Sequence, residues 1–343
     1  MTTWSIGAHA HPIWTFMWEN HVQLLTANLI ISFLLATLVY LRSFSVHPIN
    51  KDNRELAQGG NSGNTIYDWF IGRELNPRIM LPLCGEIDIK TFCEMRPGLL
   101  GWLIIDCACI AHQYTTYNSI SDSIILVTLL QTLYVLDSFY LESSILTMMD
   151  ITTDGFGFML AFGDLVWVPY IYTLPARYLA VYPVHLGLSG VLGILAVQGI
   201  GYYLFRAANN EKNRFRTNPE DPRVRHLKYI TTASGSKLLV SGWWGQGRHI
   251  NYLGDWIMGW SYCLPTGFAG YVVLRDAATG EKVVTQTGVR GWGVLITYFY
   301  VVYFGVMLVH RQSRDEEMCR RKYGKDWERY CGIVPYRFIP YVY

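Results

Sequence analysis

The chain has 343 residues, 51% of them apolar and 15% aromatic, but only 16% Asp, Glu, Lys and Arg. Soluble domains carry about 25% charge, so this deficit, with a mean hydropathy of +0.18, excludes an ordinary soluble globule and places most of the chain in lipid. The 28 basic and 26 acidic residues leave a net charge of only +2, no electrostatic footprint for a nucleic acid. Seven Cys with no Cys-x-x-Cys pair supply neither a disulfide framework nor a metal centre.

In chain order, Met1 to Asn20 lacks a basic start and holds aromatics, His9, His11 and Glu19, so it does not read as a cleavable signal. A helix needs about 20 apolar residues to cross the hydrocarbon core. Seven stretches meet or approach that length: 22–41, 98–118, 122–142, 156–175, 183–205, 238–273 and 291–310. The fold class expected is an all-α polytopic transmembrane bundle. Asp106, His112 and Asp137 lie inside apolar stretches and must face protein or water. The stretch 238–273 is too long for one span, and Gly245, Gly247, Arg248, His249 and Asn251 interrupt it, the pattern of a broken helix lining a cavity.

Two polar segments are strongly basic. Residues 206–237 hold Arg206, Lys212, Arg214, Arg216, Arg223, Arg225, Lys228 and Lys237 against Glu211, Glu220 and Asp221, and the tail 311–343 is basic as well. Excess Lys and Arg predicts that both are cytosolic, and the two crossings between them put them on one side; the loop 274–290 then lies on the other. The long segment from Arg42 to Arg96 combines a flexible Gln58 to Asn64 stretch with the aromatic and charged block Tyr67 to Arg78, which is not the composition of a plain linker. No internal repeat is evident.

Four constellations could carry chemistry. The approach to the broken span runs Lys237, Leu239, Trp244, Arg248, His249, Asn251, Tyr252 and Asp255, with glycines that let a ligand reach the backbone. A Trp and Tyr interface belt accounts for Trp243 and Trp260, but not for four polar groups in one span. The end of the last span carries His310, Arg311, Arg314, Asp315, Cys319, Lys322, Tyr323 and Tyr330; Arg311, Asp315 and Cys319 recur at i+4, while Glu316, Glu317, Arg320 and Lys325 read as a solvated face. Lys212 and Arg216 are four apart, as a phosphate clamp or an anionic-lipid contact would have them. Tyr134 lies at helical spacing from Leu130 and Asp137, by default packing, alternatively a phenol reaching an apolar cavity. No Gly-x-Gly-x-x-Gly, Walker loop, His-Glu-x-x-His or Gly-x-Ser-x-Gly occurs, so any nucleotide site is of a non-Rossmann kind.

Phe70-Ile-Gly-Arg-Glu-Leu-Asn-Pro-Arg78, the run from Leu238 to Asp255, and His310-Arg-x-x-Arg-Asp-Glu-x-x-Cys-x-x-Lys-Tyr-Gly324 resemble the sterol reductases of the endoplasmic reticulum. With the block Asp154 to Pro169, the chain is most similar to their Δ14 branch, which includes the sterol-reductase domain of lamin B receptor. The likeness runs from the first span to Tyr343. It implies a single membrane-embedded domain over 1–343, with 206–237 and 311–343 as cytosolic cofactor-binding segments. Family members have about ten spans where seven are read here, so two or three N-terminal spans are expected to be missing, and the 274–290 loop is longer than usual.

By matching motif, the resemblance implies NADPH contacts at Lys212, Arg216, Leu239, Trp244, Asn251, Tyr252, Asp315, Cys319, Arg320, Arg321, Lys322, Tyr323 and Tyr330, with no metal. Tyr134 and Asp315 are implied as catalytic. An isolated ring alkene accepts hydride poorly, so a proton is expected first, at C-15 of a 14-unsaturated sterol, and hydride second, at C-14. The implied partners are a sterol from the lipid phase, membrane lipids and other enzymes of sterol biosynthesis. The implied location is the endoplasmic reticulum membrane, continuous with the nuclear envelope. Alternatives are a Δ7 or Δ24(28) bond in the same fold, an isoprenylcysteine-type methyltransferase using S-adenosylmethionine, whose tail is also similar, and a structural role at the nuclear envelope. The Leu75-Asn-Pro-Arg78 block argues against the methyltransferase, and Met1 to Asn20 against the structural role.

Overall fold

The computed structural model of the chain describes residues 11–46, 54–82, 85–146, 148–267, 272–275, 282–285 and 292–343. Among them, five helices are long and apolar enough to cross a bilayer: His21–Ser43, Asp122–Tyr140, Phe158–Val181, Gly187–Thr217 and Gly293–Tyr323. The protein is a polytopic helical membrane protein, as its charge deficit requires. It divides into two compact units, Met1–His185 with Ala269–Val289, and Leu186–Phe268 with Arg290–Tyr343.

The first unit opens with α1 (His11–Glu19) and α2 (His21–Ser43). After α3 (Thr65–Ile71), a hairpin pairs β1 (Arg78–Leu81) with β2 (Gly85–Asp88) and leads into α4 (Ile89–Cys93). The stretch expected to span 98–118 begins earlier. A π-helical turn, Glu94–Leu100, takes up Pro97, which lacks an N–H, and runs directly into α5 (Gly101–Tyr117). Then α6 (Asp122–Tyr140) is capped by the Ser121 hydroxyl. The 156–175 stretch is interrupted and extends further than its hydropathy predicts: α7 (Phe158–Phe162), a second π turn Gly163–Trp167, α8 (Val168–Ile171) and α9 (Leu174–Val181).

The Tyr67 to Arg78 block owes its shape to an approach of bare backbones. A Cβ on Gly72, whose φ is +98°, would meet the backbone of Gly155 at 2.3 Å and of Gly157 at 2.4 Å, and one on Gly60 would meet the Gly72 oxygen at 1.8 Å. Only glycine fits there. Beside this crossing, buried Glu74 takes two hydrogen bonds of 2.8 Å from Arg54, and its carbonyl accepts from the Phe156 N–H at 2.9 Å. Lys90, on α4, is buried and donates to the carbonyls of Asp150, Ile151 and Asp154 at 2.7, 3.0 and 2.6 Å. Desolvation brings its ammonium down to about 8. These contacts fasten the polar loop to the 149–157 segment.

In the second unit α10 (Gly187–Thr217) continues twelve residues beyond the apolar stretch read as ending at 205, and so carries Lys212 and Arg216 on the same rod. The region 238–273 departs from expectation. Its first part is not span: β3 (Tyr229–Thr231) pairs with β4 (Lys237–Leu239), a 3-10 turn covers Gly242–Gly245, and only α11 (Ile250–Cys263), 14 residues long, is regular helix. At 1.5 Å per residue α11 is shorter than the roughly 30 Å hydrocarbon core. Its backbone meets that of α10 where a Cβ on Gly254 would lie 2.6 Å from the Phe205 nitrogen and 2.8 Å from the Gly201 oxygen.

Strands β5 (Val272–Arg275) and β6 (Lys282–Thr285) form a third hairpin; the rest of the 274–290 loop lies outside the described residues. Finally α12 (Trp292–Tyr323) runs past the expected end at 310, and α13 (Lys325–Ile333) follows Gly324. Three small hairpins therefore join what was expected to be all helix, and the architecture remains a helical bundle.

Candidate cofactor site

Because α10 and α11 touch at Gly201 and Gly254, the end of α10 stands beside the start of α11. Asn251 donates to Asn209 at 3.4 Å across that contact. The Lys212 ammonium sits 4.1 Å from the centroid of Trp244, a cation–π arrangement. Trp244 is fixed in turn by its indole N–H on the Ala208 carbonyl at 2.8 Å, and by packing against Phe215, Val224, Leu227 and Leu239. Glu211 holds the entry to the 3-10 turn by accepting from the Trp243 N–H at 2.9 Å.

The third wall comes from α12. Tyr252 donates its phenol to Asp315 Oδ2 at 2.7 Å, and His249 Nδ1 stands 3.8 Å from the same oxygen while its ring stacks on Tyr252. Asp315 also lies within electrostatic reach of Lys212, Arg311 and Arg314. Two buried atoms in this cluster have no hydrogen-bond partner, His249 Nε2 and Asn251 Oδ1. A polar ligand bound against these two groups would satisfy both.

Arg248 braces the cluster. Its guanidinium is buried, donates to the carbonyls of Val334 and Pro335 at 2.7 and 2.9 Å, and pairs with Glu316 through both Nε, at 2.9 Å, and Nη2. The backbone N–H groups of Arg248 and His249 bond to the carbonyls of Tyr336 and Arg337 at 3.0 and 2.7 Å. Glu316 therefore does not belong to a solvated face, as the sequence suggested; it is the counter-ion of a buried arginine 68 residues away, a pairing no local pattern could reveal.

The structure gathers Lys212, Trp244, Asn251, Tyr252 and Asp315 into one end of the second unit. Arg216 shares the helix with Lys212 but is exposed. Leu239 is a packing residue beneath Trp244. Cys319 and Tyr323 pack with Trp327, Tyr330 and Val334, whereas Arg320, Arg321 and Lys322 are exposed, Arg321 paired with Glu317 at 2.9 Å. Burial pushes the Tyr330 phenol up, so it is neutral at physiological pH. Tyr134 belongs to the first unit, on α6, where its ring lies 6.0 Å from that of Trp102. Trp102 is itself held by Gln131, which bonds onward to the Tyr172 carbonyl. Glu211 is a site residue that sequence reasoning passed over; the signal available was only its adjacency to Lys212, whereas His249 was legible as one of the polar groups interrupting the broken span.

Fold and site define a helical membrane protein with a polar, basic-edged cluster at one end of long apolar helices. The chain belongs to the Ergosterol biosynthesis ERG4/ERG24 family, whose model matches residues 2–343. It is 61% identical over 340 residues to the Delta(14)-sterol reductase ERG24A of Gibberella zeae, an alignment covering 97% of this chain and 70% of that protein. It is likewise 61% identical to the Delta(14)-sterol reductase erg24B of Aspergillus fumigatus, over 96% of this chain and 67% of the relative. The Delta(14)-sterol reductase of Neurospora crassa is 54% identical over 97% and 69%.

Proposed function

We propose that this chain is a Δ14-sterol reductase of the endoplasmic reticulum membrane, using NADPH to reduce the C14=C15 bond of sterol intermediates. The observation that carries the reading is the Tyr252 to Asp315 hydrogen bond, set between a half-buried lysine and two unpartnered buried polar atoms. A nicotinamide dinucleotide fits this donor set. Lys212, with exposed Arg216 one turn further on, supplies positive charge for phosphates, and Trp244, Asn251 and His249 supply an aromatic face and amide and imidazole groups. Exposed Arg320, Arg321 and Lys322 extend the same positive field. When bound, the cofactor supplies hydride.

The remaining chemistry belongs to the chain. An isolated ring alkene must be protonated before hydride can add, so the site needs a proton held on an acid. Tyr252 donates to Oδ2 of Asp315, which leaves Oδ1 as the oxygen that can carry and release that proton. The reduction consumes a single proton, and the resemblance assigns its delivery to Tyr134 together with Asp315. Apolar helix walls exclude the water that would trap a tertiary cation at C-14.

The test is expression in a cell lacking its own Δ14 reductase. Loss of 14-unsaturated sterols is expected, and their persistence with folded protein overturns the reading. Assay of the purified protein with Δ7, Δ24(28) and Δ14 substrates decides among bonds. Turnover left intact by both Tyr134→Phe and Asp315→Ala removes the proton-donor assignment.

A further inference from the structure

The first unit contains a cavity of about 220 Å³, lined mainly by apolar side chains, which the reductase reading does not use. Its walls come from α1, α2, the first π turn, α5, the second π turn, α8 and α9, and Tyr134 is not among the lining residues. Leu24, Ile105 and Ala108 contribute aliphatic surface, and Gly101 leaves room beside Pro169.

One side of this apolar space is charged. Arg177, on α9, lies four residues before the end of Phe158–Val181, one of the helices long and apolar enough to cross a bilayer, and lines the cavity. Its guanidinium sits 4.4 Å from the centroid of Trp18, whose other contact is a stack on His112 at 3.7 Å. No carboxylate of the described residues pairs with Arg177, and the ionisable groups that face it are the Cys109 thiol and the His21 and His112 imidazoles. Nearby, Asn28 donates to the Tyr170 hydroxyl at 3.0 Å, and His21 meets Tyr170 edge-on. A guanidinium inside a bilayer is costly unless an anion or water meets it, and such a residue marks a binding site by default. A ring face offsets on the order of 2 kcal/mol of that cost.

We propose that this cavity binds an anionic amphiphile, with one carboxylate or phosphate on Arg177 and its apolar tail against α2 and α5. The guanidinium fork matches either oxyanion geometry. The cavity takes the headgroup and the first several methylenes, and the remainder of the tail leaves by the open side into lipid. The inference does not depend on the reductase reading, since its readout is binding.

The experiment compares ligands of equal chain length on the purified full chain in neutral detergent. Oleate, dioleoyl phosphatidate and oleyl alcohol are each titrated while thermal stability is followed. Stabilisation by oleate alone identifies a free fatty acid, and by phosphatidate alone a phospholipid; either supports the site. Equal stabilisation by oleyl alcohol, or no stabilisation by any, overturns it. Arg177→Gln is expected to weaken the anion at least about tenfold, as loss of a charge-assisted hydrogen bond does, and Arg177→Lys to retain part of the binding. Should Arg177→Gln not fold, a stearate brominated near its carboxyl supplies a second readout: it quenches fluorescence in the wild type and less in Trp18→Phe. Unchanged quenching in Trp18→Phe overturns the placement. Displacement of oleate by NADPH does so too, because the cavity would then belong to the cofactor.

Discussion

Lys212 and Arg216 are four residues apart on one helix, yet they are not equivalent. Lys212 is held over the Trp244 ring near Asp315, whereas Arg216 projects into solvent. A fixed cation beside a phosphate contributes more than a mobile one, because less side-chain entropy is lost on binding. Lys212→Met is therefore expected to raise the KM for NADPH roughly tenfold or more, and Arg216→Ala only about twofold to threefold; cofactor titration at saturating sterol measures both. Tyr252→Phe is the complementary case. It keeps the ring that stacks on His249 and removes only the O–H donated to Asp315, so kcat should fall by about a hundredfold, the lower end of what an acid–base group contributes, because Asp315 itself remains. A kcat unchanged in Tyr252→Phe would separate that hydrogen bond from the chemistry.

At the scale of elements, the polar loop between α2 and α4 is fixed by two devices that differ in kind. The Gly60, Gly72, Gly155 and Gly157 crossing leaves no room for a methyl group. Gly155→Ala should prevent the loop from docking, seen as loss of the folded, detergent-stable species in size-exclusion chromatography. Lys90 acts by satisfying three carbonyls. Lys90→Met leaves them without that donor and is expected to cost about 2–4 kcal/mol, read as a lowered Tm. The ammonium also imposes a pH dependence. Its pKa is about 8 in the folded protein against 10.5 for an ordinary lysine, so as pH falls through that window the unfolded chain takes up the proton first. The stability contributed by Lys90 falls from pH 10.5 to 8 and is constant below. The wild type should therefore lose stability over that interval relative to Lys90→Met, measured by thermal unfolding at both ends.

Across the whole molecule, hydropathy reveals what a bilayer dictates and little else. The helices at 21–43, 122–140 and 187–217 are legible because about 20 apolar residues are needed to cross, whatever surrounds them. The hairpin and 3-10 turn before Ile250 are not, since Leu238 to Val240 is as apolar as a span and only pairing with 229–231 makes it a strand. Lys212, Trp244, Asn251, Tyr252 and Asp315 were legible by motif, but Glu316 was not, because its partner Arg248 is set by the tail folding back. What composition does anticipate is a division of labour in charge. The 16% of charged residues is concentrated, with Lys212, Arg216, Arg311, Arg314 and Arg320 to Lys322 at the ends of two helices that meet at one end of the second unit. Such a field reaches about 30 Å at 10 mM salt but only about 8 Å at 150 mM. An anionic cofactor approaching that end should thus feel added salt, and a neutral sterol arriving through lipid should not. Raising ionic strength across this range is expected to lower kcat/KM for NADPH several-fold while leaving kcat/KM for the sterol within error. Equal salt sensitivity for both substrates would mean that the basic helix ends do not receive the cofactor.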